Sequence, residues 1–106
     1  MLQDELKEAS EKVITVRSAL LGAVLPLMAA RYALENKKAE LLLSGAIDGK
    51  NAETRDAQIR QMAEPEFAAL AFAENNHAQY QAAFDCAVYA LDQIKYQIRL
   101  IEAMKP

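Results

Sequence analysis

Few side chains in this sequence carry reactive chemistry. His77 is its one histidine and Cys86 its one cysteine. Nine positions apart on a helix, the two would lie on opposite faces, so the chain cannot form a thiolate–imidazole pair of its own. Among Ser10, Ser18 and Ser44, only Ser18 falls in a register that a histidine could reach without a second copy. No nucleophile, base and orienting group converge, and the expectation is a protein that is not an enzyme.

The segment Glu74-Asn-Asn-His77 has the Glu-x-x-His spacing that places a carboxylate and an imidazole on one helix face. Ferritin-like di-metal bundles use this element, combined with inward glutamates from neighbouring helices. Here the glutamates nearest in register, Glu35 and Glu40, point away from the apolar seam. The reading adopted is therefore no metal and no cofactor. Arg31, Glu74 and His77 are instead expected to form a polar patch at the seam, with His77 bonded to a neighbour such as Arg31 or Glu74. Polar groups at such positions often set register or oligomeric state. Binding of a partner is the other reading of that patch.

A second concentration of polar residues runs from Ser44 to Arg60. Lys50, Asn51, Arg55 and Gln58 gather about a helix N-terminus, where unpaired N–H groups and the helix dipole favour anions. The stretch lacks the Lys-Ser/Thr order of a nucleotide-binding loop and the ligand spacing of a calcium-binding hand. Two readings remain: a weak anion or partner site, or a capped turn tied down by Arg55 and Gln58. With Arg60, Lys37 and Lys38 added, the anion reading extends to single-stranded DNA.

The elements that must position these residues follow from periodicity. Leu6, Val13, Leu20, Leu27, Leu34 and Leu41 recur every seven residues, followed three positions on by Ala9, Val16, Ala23, Ala30 and Lys37. This is the a/d seam of helices packed nearly parallel or antiparallel. It predicts a helix over 3–44, kinked at Pro26 rather than ended there, because the heptad phase survives the proline. Gly45 suits a left-handed helix end, and 45–51 reads as loop. Asn51 caps a short helix over 52–63. Pro65 opens a helix over 65–104, whose seam rows are Leu70, His77, Phe84, Leu91, Ile98 and Ala73, Tyr80, Ala87, Ile94, Ile101.

The chain therefore reads as one all-α domain, a long antiparallel helical hairpin with a short helix in its connection. Residues 34–41 should lie opposite 67–73, and 6–13 opposite 98–104. Asp4, Glu5, Glu8 and Glu11 would then face Lys95, Arg99 and Lys105. Two long helices and a short one leave apolar side chains such as Leu21, Val24, Leu25, Met28, Val88 and Tyr89 off the seam. A homodimer completing a four-helix-type bundle would cover them.

Composition narrows the remaining classes. The 106 residues carry a formal net charge of −3, which does not favour nucleic acid or an acidic membrane surface. A lone cysteine excludes an internal disulfide framework and fits a reducing cytoplasm. The charged start is no signal peptide. The apolar stretch 18–30, bounded by Arg17 and Arg31, is shorter than the ~20 residues that span a bilayer and reads as core, with no membrane partner expected.

The stretch LLLSGAIDGKNAETRDAQIR resembles a segment of small helical proteins encoded by bacteriophages and prophages, with a Ser-Gly-x-Ile-x-Gly-Lys-Asn-x-x-x-Arg-x-Ala-Gln core. Their C-terminal helix ends in similar text, here Ile98-Arg-Leu-Ile-Glu102. The resemblance runs from about Leu41 to the end and implies a phage accessory protein in a bacterial cytoplasm, without implying an activity. The leading expectation is a non-enzymatic protein that binds another macromolecule as an oligomeric helical bundle. The alternatives are a recombination or replication accessory on single-stranded DNA, and a metal-binding bundle.

Overall fold

In a computed structural model that describes residues 1–105, the chain is all helix and connection. Helix α1 spans Leu2–Leu43, α2 Ala52–Met62 and α3 Glu64–Ala103. The two long helices pack antiparallel, joined through the short one. Each boundary falls within one residue of its expected place. Pro26 lies inside α1 and does not end it.

Two compact units are each built from parts of both long helices. The first joins Met1–Ala23 to α3 from His77 onward; the second is Val24–Asn76. In the second unit Leu34, Leu41 and Ala63 form a buried cluster, with Ile47, Phe67 and Leu70 packed against it. This is the expected pairing of 34–41 with 67–73.

In the first unit the pairing differs from expectation. Ala9 and Lys12 share one shallow groove with Ala90 and Ile94, and another with Ala83, Cys86 and Ala87. The end of α3 from Ile98 onward is not part of either groove. Small side chains let helix axes approach closely, and the alanines of both helices gather at this level. The expected charge pairing is absent as well. Among the described residues the ion pairs are local ones within α1, Lys37–Glu40 at 3.8 Å and Lys38–Glu35 at 3.4 Å. Exposed pairs contribute only ~0–1 kcal/mol, too little to set the register against packing.

Burial follows the heptads along α1, where Ala23, Leu27, Leu34 and Leu41 are all buried. On α3 Ala73 and Ala87 are buried, but Tyr80 and Ile101 keep 41% and 46% of their surface. The stretch 18–30 is core on one face only. Leu21, Leu25 and Met28 remain 60%, 73% and 56% exposed. Around them α1 contains an 18-residue window apolar enough, by length and composition, to cross a membrane, and 11% of that window is buried.

Candidate functional site

The polar arrangement richest in hydrogen bonds lies where α1 ends and α2 and α3 meet, within the second unit. Ser44 closes α1 by donating its hydroxyl to the Leu41 carbonyl at 3.1 Å, while its N–H reaches the Glu40 carbonyl at 2.9 Å. Gly45 then takes φ of 76°, a left-handed conformation that costs a side chain more than it costs glycine. That reversal lets Ile47 return to the Leu34–Leu41–Ala63 cluster.

The chain next comes close to the start of α2. A Cβ on Gly49 would meet the Arg55 nitrogen at 2.9 Å and the Gln58 Oε1 at 3.0 Å. Gln58 holds the loop from two sides: its Oε1 accepts from the Gly49 N–H at 2.9 Å, and its Nε2 donates to Asp48. Arg55 donates to the Gly49 carbonyl over a long 3.5 Å. Asn51 caps α2, its Oδ1 accepting from the Thr54 N–H at 2.8 Å. Three of the four residues singled out here, Asn51, Arg55 and Gln58, thus hold the turn through their own hydrogen bonds. Lys50 is exposed and takes no part in a hydrogen bond or ion pair among the described residues.

A single residue joins α2 to α3. Ala63 is fully buried; its N–H bonds the Ile59 carbonyl at 2.8 Å and its carbonyl accepts from the Phe67 N–H at 3.0 Å. Phe67 carries cations on its ring, with the Arg60 guanidinium 4.8 Å and the Lys38 ammonium 5.6 Å from the centroid. Stacking of this kind contributes about 0.5–1 kcal/mol at exposed sites. Beside it an open groove of about 710 Å³ is lined by residues including Asp56, Ala57, Arg60, Glu64, Phe67 and Ala71. In the first turn of α3, Glu66 keeps its Oε2 shielded from solvent with no hydrogen-bond partner.

Sequence reasoning reached the cap and the turn but missed Phe67 as the seat of two cations. Its ring, on α3, is reached by Lys38 from α1 and Arg60 from α2, a juxtaposition that heptad spacing does not encode. Of the cations on which the single-stranded-DNA reading relied, Lys37 and Lys38 are paired with carboxylates and Arg60 lies over the Phe67 ring. Arg55 is turned to the Gly49 carbonyl.

The polar patch carries no such bonds. Arg31 and Glu74 are exposed and His77 is half-buried. None of the three enters a hydrogen bond or ion pair among the described residues, so the bond expected of His77 is not made. Helix α3 runs unbroken through Asn75 and Asn76 all the same. No group of three or more potential metal ligands converges among the described residues. Cys86 is an exposed, free thiol.

No family model, curated protein or solved structure matches the chain.

Proposed function

We propose that this is a non-enzymatic protein that binds other macromolecules and works as an assembly of its own copies, in the manner of a phage accessory protein in a bacterial cytoplasm. One observation carries the reading: large apolar side chains stand in water along both long helices. Leu25, Tyr32, Phe72 and Tyr89 are each at least two-thirds exposed, while the buried positions are filled by leucines and alanines. Apolar surface on this scale favours association, at roughly 25 cal/mol for each Å² removed from water. The corner between α2 and α3, with its rigid turn and open groove, is a second surface on which a partner has room to dock. The engaged cations around Phe67 give the single-stranded-DNA alternative little to stand on.

Light scattering on the purified protein tests the assembly. A mass above the 11.7 kDa of one chain at micromolar concentration is the expected result. A single-chain mass throughout the micromolar range would remove the assembly from this reading. The DNA alternative has its own test, since phosphate contacts release counterions and strengthen as salt falls. No binding of a single-stranded oligonucleotide is expected even at low salt.

A further inference from the structure

We propose that Asp48-Gly49 is a site of spontaneous main-chain isomerisation, from aspartate to isoaspartate, and that Gln58 holds it in check by occupying both reacting groups.

The reaction joins two neighbouring residues. The Gly49 amide nitrogen attacks Cγ of the Asp48 side chain in its protonated form. A C–N bond forms, the C–O bond to the hydroxyl breaks, and the hydroxyl leaves with the amide proton as water. The product is a succinimide ring. Water then reopens the ring at the side-chain carbonyl, which restores aspartate, or at the main-chain carbonyl, which gives isoaspartate. One water is lost and one regained, so the step needs no oxidant, reductant or cofactor.

A following glycine favours the attack, because without a Cβ the nitrogen is uncrowded and the backbone turns freely. Asp48 is the one aspartate of this sequence followed by glycine. Asp4, Asp56, Asp85 and Asp92 lie inside helices, where the next amide is held in the helical ladder. Asp48 stands instead in the connection between α1 and α2, exposed to solvent. The fold also keeps the glycine in place, since a Cβ at that position would stand 2.9 Å from the Arg55 nitrogen. Close packing thus imposes the reactive pair on the turn.

The same packing supplies the restraint. Gln58 is half-buried on α2, and its one carboxamide meets both partners of the reaction. Its Oε1 accepts from the Gly49 N–H at 2.9 Å and its Nε2 donates to Oδ1 of Asp48. Arg55 adds a long bond to the Gly49 carbonyl at 3.5 Å. Ring closure requires the nitrogen to give up its proton and Cγ to swing onto it, so both bonds to Gln58 must break first. The carboxamide oxygen is too weak a base to take that proton itself. Isomerisation would add a methylene to the main chain between Asp48 and Gly49, carrying Gly49 out of its close fit against Arg55.

Incubation of the full chain at neutral pH, followed by proteolysis and chromatographic separation of the isoaspartyl peptide, tests the proposal. Native protein, Gln58→Met, Asn51→Ala and native protein unfolded in urea are compared. Isoaspartate should build up at Asp48 in the unfolded chain and far more slowly in the native one. Gln58→Met keeps the length of the side chain without its hydrogen bonds and should speed the native reaction roughly tenfold or more, the effect of releasing two hydrogen bonds. Asn51→Ala loosens the same turn at the helix cap but leaves the clamp, and should stay much nearer the native rate. Hydrogen exchange gives a second readout: the Gly49 amide should be protected in the native chain and exposed in Gln58→Met. No isoaspartate at Asp48 in the unfolded chain would overturn the site. Equal rates in folded and unfolded native protein would overturn the restraint, as would Gln58→Met isomerising no faster than native. Asn51→Ala matching Gln58→Met would show general loosening of the turn and overturn the role of Gln58.

Discussion

The turn between α1 and α2 is held by individual atoms, and each can be tested singly. Gly49 is required by a close approach: adding a methyl there drives it into the Arg55 nitrogen at 2.9 Å, a backbone atom that cannot move without disturbing α2. Gly49→Ala should destabilise the protein by about 1–3 kcal/mol, the usual cost of overpacking, read as a lower urea midpoint. Asn51→Ala removes the acceptor for the Thr54 N–H and should cost about 1 kcal/mol in the same experiment. Lys50→Ala is the contrasting case. With no partner among the described residues, it should shift stability by less than about 0.5 kcal/mol. A larger loss would show that Lys50 is engaged in the fold. Gly45 and Asn51 were legible in the sequence because a helix end and a helix start are local events. Gly49 read only as a turn residue, since its constraint comes from atoms five to nine positions on.

At the scale of elements, α1 and α3 follow from heptad rows and α2 from its cap. The corner at Ala63 does not. Two helices separated by one residue can turn sharply only if that residue is small enough to sit wholly inside the Leu34–Leu41 cluster, and Ala63 has no exposed surface. Ala63→Leu should therefore cost about 1–3 kcal/mol through overpacking. Ala63→Gly should be milder. Chemical denaturation of the two variants side by side gives the comparison. In the sequence Ala63 is one alanine among many, and nothing in its neighbours marks it apart from the proline two positions later. The first unit teaches a related lesson. Opposed charges suggested one register, and the structure adopts another in which Ala9 lies near Ala87 and Ala90.

For the whole molecule the decisive quantity is the apolar surface left in water. If copies associate on it, folding and assembly are linked, and the melting temperature should rise with protein concentration. A melting temperature constant over a hundredfold range of concentration would show that the chain is stable alone. The sequence by itself determined the helices, their antiparallel order and the limits of the turn, because periodicity, caps and breakers act within a few residues. It also left two apolar rows on α1. Heptad phase also marked which row is filled, that of Leu27, Leu34 and Leu41, while only the tertiary structure decided the level at which α3 lies against the first part of α1. The same holds for the four singled-out residues of the turn: their chemistry suited an anion site or a capped loop, and in the fold three of them hydrogen-bond within the loop. Burial and hydrogen-bond geometry arise from contacts between distant segments, and no local pattern of residues contains them.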